Sequence, residues 1–296
     1  MTPVSRSTPA SKSVRTDNDY IDPPEPQRKT ICLIFSLTGE GKSTMGLKYV
    51  PGPVSYHDVD NRGFNACKKA RSEGKVVRYL DLDYPRHIAD MDEKEAMAAA
   101  KSVIDRHWKN LEWSVRESEK GNVRTITWDT ASELADIVNI MFTGRPERRG
   151  DDYGASSNMV KVELMKMIKT VRNEGNANLV MLAHAKEVWE KAGTTSSGKE
   201  KRAATGKYTF RGPAELASSA DWAGHLRLAA TSVKARASEK SKLHELEITK
   251  AGIILSTLGD VYTEQQWGEP DDGGYGPFAF ACSMQHIDST PEDWME

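Results

Sequence analysis

Short apolar runs alternate with longer amphipathic segments along most of this chain. Residues 31–35 (ICLIF) are apolar throughout, which is typical of a strand buried on both faces of a sheet. Further strands are predicted at residues 54–59, 76–80, 123–128, 179–183, 225–228 and 245–249. Helical periodicity predicts helices at residues 42–49, 94–117, 132–141 and 159–172. This alternation predicts an α/β fold with a mainly parallel central sheet flanked by helices.

The two ends of the chain differ in composition from this alternating core, which we place at residues 30–256. Residues 1–29 are rich in Ser, Thr, Pro and charge, so a disordered N-terminal arm is expected. Residues 257–296 are interpreted as an acidic C-terminal extension, because no Lys or Arg follows Lys250. The tip of this extension contains Trp294 and is expected to be solvated, with binding of a protein partner as the alternative.

Composition excludes some functions. The 296 residues contain no apolar run near the roughly 18 residues that span a bilayer. The three cysteines match no metal spacing and are interpreted as buried free thiols of a reduced compartment. A cytoplasmic protein without a membrane partner is therefore expected.

A glycine-containing loop lies between the first predicted strand and the first predicted helix. Residues 36–44 read SLTGEGKST, close to the phosphate-binding pattern G-x-x-x-x-G-K-[ST], with Ser36 in place of the first Gly. Backbone N–H groups around the glycines would converge on an anion, and Lys42 would reach the terminal phosphates. A turn that uses Gly for geometry alone is the alternative. The candidate nucleotide-binding residues are Ser36, Gly39, Glu40, Gly41, Lys42, Ser43 and Thr44.

An apolar strand that ends in Asp129 supplies the second half of such a site. The hydroxyl of Ser43 and the carboxylate of Asp129 are the candidate Mg²⁺ ligands, so ATP and Mg²⁺ are the expected cofactors. A helix N-cap is the alternative role of Asp129. Because Thr130 or Ser132 can fill that role instead, the metal role is favoured.

The order of these motifs resembles that of the RecA-type recombination ATPases. The resemblance is strongest to short bacteriophage RecA-like ATPases linked to single-strand annealing, and it covers roughly residues 31–256. It implies a RecA-like P-loop NTPase fold and, for a phage-encoded protein, the host cytoplasm. In this family a carboxylate after the second strand polarises the attacking water. The segment YHDVD resembles that pattern and places Asp60 in this role, with Asp58 beside it; a solvated loop acid is the alternative.

The same resemblance assigns His184 and the segment after it. His184 ends the strand LVMLAH, where the family carries a polar residue that senses the γ-phosphate; a structural histidine is the alternative. Residues 186–211 correspond to the family's DNA-contacting loop, and residues 194–207 are expected to be flexible; a merely solvated loop is the alternative. Cations in this loop are the candidate DNA-binding residues: Lys191, Lys199, Lys201, Arg202, Lys207 and Arg211.

Lys250 resembles the family's lysine that crosses a subunit boundary to a neighbour's site, so a homo-oligomer with ATP at the subunit interface is expected; a surface lysine is the alternative. Together these residues predict a DNA-dependent ATPase of recombination or repair acting on single-stranded DNA, with catalytic candidates Lys42, Asp60, Asp129, His184 and Lys250.

Two other functions fit the same loop. A small-molecule or nucleotide kinase would need an arginine-bearing lid, and Arg145, Arg148 and Arg149 are available for one. A DNA-binding assembly protein would use ATP only structurally.

Overall fold

The computed structural model describes residues 29–82, 87–145, 155–194, 200–228, 243–251, 255–268, 274–286 and 289–295. The expected N-terminal arm, apart from Lys29, lies outside these ranges, as do Lys199, Arg148 and Arg149. Within the described ranges no helix is long and apolar enough to cross a membrane.

A nine-stranded sheet forms the centre of the protein, in the order β3-β2-β4-β5-β1-β7-β8-β9, with β6 paired to β5. The strands are β1 (Ile31–Ser36), β2 (Val54–Asp58), β3 (Val77–Asp81), β4 (Thr125–Asp129), β5 (Asn178–Thr194), β6 (Glu200–Phe210), β7 (Trp222–Leu228), β8 (His244–Ala251) and β9 (Val261–Thr263). All pairings from β3 to β7 along this order are parallel, whereas β8 and β9 are antiparallel to their neighbours. The predicted α/β class with a mainly parallel sheet is confirmed.

Helices cover both faces of this sheet. They are α1 (Lys42–Lys48), α2 (Phe64–Ser72), α3 (Glu93–Glu119), α4 (Ala131–Thr143), α5 (Ala155–Glu174), α6 (Ala214–Ser219), α7 (Glu264–Trp267) and α8 (Gly276–Gln285). One face is packed by α3, α4, α5 and α6, and the other by α1, α2, α7 and α8. β1 is buried along its whole length, as its uninterrupted apolar run predicts.

The structure corrects two expectations about flexible segments. The segment expected as a flexible loop is largely a β-hairpin, in which the extended end of β5 pairs with β6. The expectation missed it because the segment is rich in Lys, Gly and Ser, and its stability comes from pairing along the extension of a buried strand. The C-terminal tip is likewise not a frayed end: Trp294 is 5% exposed and packs in the α8 layer of the core.

Two histidines are buried together between β2 and α3. Nδ1 of His57 lies 3.4 Å from Nδ1 of His107, and Nε2 of His107 has no hydrogen-bond partner within the described part of the chain. Desolvation lowers the pKa of His57 well below its usual range and the pKa of His107 to about 3. Both imidazoles are therefore neutral in the folded protein at neutral pH.

This pair predicts acid lability. A base with a depressed pKa in the folded state stabilises the protein above its unfolded pKa of 6.5, and that contribution is lost as pH falls toward about 3. Between pH 6.5 and pH 5, His107 alone accounts for about 2 kcal/mol of unfolding free energy. Buried Asp58, whose pKa is raised to about 6 by desolvation, acts with the opposite sign. We therefore expect His107→Phe to lose less stability than the unsubstituted protein over this range, as measured by urea unfolding. Equal losses in both proteins would contradict this assignment.

Candidate nucleotide site and adjoining hairpin

The loop between β1 and α1 has the backbone of an anion cradle. Gly39 and Gly41 adopt φ values of 89° and 86°, in the left-handed region that favours glycine. The carboxylate of Glu40 turns back and accepts the N–H of Leu37 at 2.8 Å, which closes the loop on itself. Ser36 is fully buried, and its hydroxyl donates to the carbonyl oxygen of Leu37 at 3.0 Å. A serine is thus accommodated where the motif usually has its first glycine.

Lys42, the first residue of α1, is buried at the base of this loop. Its side chain makes no hydrogen bond or ion pair with another described residue, although only 7% of the residue is exposed. An anionic ligand in the loop would supply a hydrogen-bonding partner for this ammonium, which has none among the described residues.

Ser43 and Asp129 meet beside Lys42. The Ser43 hydroxyl donates to Oδ2 of Asp129 at 2.5 Å, and the Tyr56 hydroxyl donates to the same oxygen. The other oxygen of this carboxylate, Oδ1, is buried and has no partner among the described residues. A hydroxyl and a carboxylate with a spare buried oxygen are the donors that Mg²⁺ prefers, so this pair fits the ion. Thr130 caps α4 by accepting the N–H of Glu133, which leaves Asp129 free of the capping role.

The two aspartates after β2 lie in different surroundings. Asp58 is fully buried, and its carboxylate accepts from the Tyr79 hydroxyl and the Gly63 N–H, both at 2.8 Å. The Asp60 side chain is 10% exposed and close enough to Lys42 for the ammonium to lower its pKa. Desolvation and the Asp129 carboxylate outweigh that effect and raise the pKa of Asp60. Asp58 therefore holds the loop together, whereas Asp60 faces the site.

His184 stands between Asp60 and the root of the hairpin. Its Nε2 lies 3.9 Å from Oδ2 of Asp60 and 3.5 Å from Oε1 of Glu133. Glu133 in turn lies 3.5 Å from the guanidinium of Arg211, and His184 holds down the pKa of Glu133. The Arg211 N–H also donates to the His184 carbonyl oxygen at 2.7 Å. A continuous chain of contacts thus links Asp60 to the residue that follows β6.

The hairpin projects beyond the sheet edge where this site lies. Because His184 is level with Ser36, the following ten residues of β5 extend about 30 Å past the loop. Exposed Trp189 and Lys191 lie on one face of the hairpin, where they pair across the strands with Ala204 and Arg202. Lys191 and Arg202 place two like charges directly opposite each other, and the Glu200 carboxylate lies 3.0 Å from Nε of Arg202.

The other cations of the DNA-binding prediction are in varied positions. Arg202 pairs with Glu200 at 3.0 Å, and Lys207 is exposed. The structure places the backbone of Lys201 in β6 opposite Gly193. The guanidinium of Arg211 forms ion pairs with Glu133 and Asp136 on α4. These ion pairs hold the end of β6 against α4.

Lys250 is not brought to the site within the chain. It pairs with Ala223 on β7, near the sheet edge opposite the loop. Its ammonium donates to the carbonyl oxygens of Ala217 and Ser218, at 2.8 Å and 2.9 Å, and to that of Ala220, where α6 ends. Its role in a neighbouring subunit stays a prediction.

Sequence reasoning missed several residues of the site. Tyr56 and Glu133 flank predicted site residues, and the spacing of Glu133 from Thr130 is a capping signal that marks the site edge of α4. His244 had no signal, because it is distant in sequence. In the structure a Cβ on Gly41 would lie 2.9 Å from His244 Nε2.

No protein-family model matches the chain, and no curated protein matches it. Among solved structures, the crystal structure of the RadB recombinase aligns with 79% of this chain and 86% of that chain, with 12% sequence identity and a TM-score of 0.40. This likeness is too low to transfer ligands or activity to the chain, so its function must be argued from its own residues.

Proposed function

We propose that this chain binds ATP with Mg²⁺ at residues 36–44 and hydrolyses it while acting on single-stranded DNA in recombination or repair. The observation that carries the proposal is the cluster at the base of the loop. There, Lys42 makes no hydrogen bond or ion pair with a described residue, and Asp129 keeps a buried oxygen without a partner among the described residues, beside the Ser43 hydroxyl.

Each residue of the cluster has a task in this proposal. The loop N–H groups and Lys42 bind the phosphates, while Ser43 and Asp129 hold Mg²⁺, which when bound neutralises phosphate charge. Asp60 orients the attacking water and accepts its proton, since its raised pKa makes it a better base than an ordinary aspartate. His184 lies between Asp60 and Glu133, and Glu133 contacts Arg211. Through these contacts His184 couples nucleotide binding at the loop to the root of the hairpin.

The hairpin face with Trp189, Lys191 and Arg202 supports DNA as the partner. An indole that is 56% exposed offers a surface on which a base stacks, and flanking cations follow a phosphate backbone. Single-stranded DNA is favoured over duplex because stacking on an aromatic side chain requires an unstacked base.

ATP hydrolysis by the full chain, with and without single-stranded DNA, tests this function. We expect DNA to stimulate hydrolysis and the stimulation to fall as salt rises. Trp189→Ala is expected to weaken DNA binding roughly tenfold, because stacking contributes about 1–3 kcal/mol per base. Lys191→Ala is expected to reduce the salt dependence of binding by about one phosphate contact.

Lys169→Ala on α5 is the matched control, since this exposed lysine lies on a different face. It is expected to change neither DNA affinity nor stimulation. Hydrolysis that ignores DNA, or a Trp189→Ala protein that binds DNA like the unsubstituted protein, would contradict the proposal.

The kinase alternative receives no support from the described arginine of its lid. Arg145 follows α4, which starts at the site and runs about 20 Å away from it. Its guanidinium pairs with Glu93 at the start of α3, at 2.6 Å.

A further inference from the structure

The side chain of Tyr56 reaches the candidate Mg²⁺ ligand Asp129 from a neighbouring strand. Tyr56 lies on β2, where it pairs with Thr127 of β4, two residues before Asp129. The residue is fully buried, and its hydroxyl donates to Oδ2 of the Asp129 carboxylate. Neither phosphate binding nor water activation, as proposed above, uses this hydroxyl.

The two oxygens of the Asp129 carboxylate have different surroundings. Oδ2 accepts from two hydroxyls, that of Tyr56 and that of Ser43, the latter at 2.5 Å. Oδ1 is buried and has no partner among the described residues. An ionised carboxylate only accepts hydrogen bonds, and both neighbouring donors are committed to Oδ2. Oδ1 is therefore the oxygen left for a cation.

Ser43 and Tyr56 differ in how they depend on the ion. The Ser43 oxygen is itself a candidate ligand, so its contacts with Asp129 and with the ion are linked. The Tyr56 ring is held in the core and its hydroxyl is not a candidate ligand, so its donation to Oδ2 fixes the carboxylate with or without the ion. Loss of a group that orients a metal-ligating side chain typically lowers metal affinity about 10–100-fold.

The start of α2 leaves room for the Tyr56 ring. Gly63 precedes α2 with φ −77° and ψ −13°, a right-handed helical conformation that any residue adopts. The backbone therefore does not require glycine at this position. A Cβ on residue 63 would lie 2.5 Å from Cε1 of Tyr56 and 2.7 Å from its hydroxyl oxygen, which is too close for a side chain. The glycine thus lets the tyrosine keep its place under Asp129.

We propose that Tyr56 is a positioning residue for the metal. By donating to Oδ2 it orients the Asp129 carboxylate so that Oδ1 contacts Mg²⁺, directly or through a water molecule. This role rests on the proposed function, because it assumes Mg²⁺ with a nucleotide in the loop. In this role Tyr56 contacts neither phosphate nor ion, so its loss changes the metal dependence of nucleotide binding and leaves metal-free binding intact.

ADP binding to the full chain, measured by calorimetry in EDTA and at a series of Mg²⁺ concentrations, tests this inference. We expect Mg²⁺ to tighten ADP binding by the unsubstituted protein. Tyr56→Phe removes only the hydroxyl, and the Mg²⁺ concentration for half-maximal tightening is expected to rise about tenfold. Its ADP affinity in EDTA is expected to stay within about twofold of the unsubstituted protein, because the loop N–H groups and Lys42 bind the phosphates.

Tyr79→Phe is the matched control. Tyr79 pairs with Tyr56 from β3, with ring centres 6.4 Å apart, and its hydroxyl donates to Asp58 at 2.8 Å. The same atom is therefore removed from a neighbouring tyrosine that donates to a different aspartate. This variant is expected to keep the Mg²⁺ dependence of the unsubstituted protein.

Three results would overturn the inference. One is an unchanged Mg²⁺ dependence in Tyr56→Phe, and another is an equal shift in Tyr56→Phe and Tyr79→Phe. The third is a loss of ADP affinity in EDTA as large as the loss in Mg²⁺, since Tyr56 would then only support the loop. An unsubstituted protein that bound no ADP, or whose ADP binding ignored Mg²⁺, would instead contradict the proposed function.

Discussion

Replacement of Lys42 by alanine is expected to weaken ATP binding by roughly a hundredfold or more, because it removes charge-assisted hydrogen bonds to phosphate oxygens. The fold is expected to survive. Lys42 has no hydrogen bond or ion pair to lose among the described residues. The ligand-free variant is therefore expected to unfold at about the same temperature as the unsubstituted protein. Thermal unfolding with and without Mg²⁺–ATP measures both effects.

Lys48, at the other end of the same helix, supplies the control for this experiment. Its ammonium lies 5.3 Å from the centre of the Tyr49 ring. Lys48→Ala is expected to keep the stabilisation by ATP. If Lys42→Ala bound ATP within about threefold of the unsubstituted protein, the loop would not be a phosphate site.

Replacement of Asp60 by asparagine is expected to reduce ATP turnover by about 10²–10⁴-fold, the range typical of a lost general base. ATP binding is expected to persist, because in the proposed site the loop N–H groups and Lys42, not Asp60, bind the phosphates. Steady-state hydrolysis together with calorimetric binding separates the two quantities. Asparagine is nearly isosteric, so the contacts with Arg62 and His184 are disturbed little.

Asp58 is the control for Asp60, because it carries the same carboxylate two residues earlier in the chain. In Asp58→Asn the amide oxygen can still accept from the Tyr79 hydroxyl and the Gly63 N–H, because both donate to Oδ2. The amide NH₂ then faces the Arg62 N–H that donates to Oδ1 at 3.3 Å, so this hydrogen bond is lost. We expect a loss of about 1–3 kcal/mol of unfolding free energy, with turnover per folded molecule largely kept. If instead Asp58→Asn abolished turnover at full stability, and Asp60→Asn had no effect, the two roles would be reversed.

Local pattern determined most of the parallel sheet. β1 and the sheet portion of β5 are buried on both faces and appear in the sequence as nearly uninterrupted apolar runs. β2 and β4 are buried as fully, although polar residues alternate with apolar ones along them. The loop at residues 36–44 could also be predicted from the sequence, because its glycines and Lys42 are close together in the chain. The C-terminal helices could not be predicted. α7 and α8 are short and carry no clear helical period, and they form by packing on the face of the sheet that α1 and α2 leave uncovered.

The site divides in the same way. The sequence by itself predicted a phosphate role for Lys42 and a metal role for Ser43 and Asp129, because each motif is a short stretch of neighbouring residues. Only the tertiary structure decided between Asp58 and Asp60 as the residue that faces the site, since burial depends on Tyr79 and Gly63. It alone also brought His244 against Gly41, because the order of strands in a sheet is set by burial of whole faces and is not encoded at either residue.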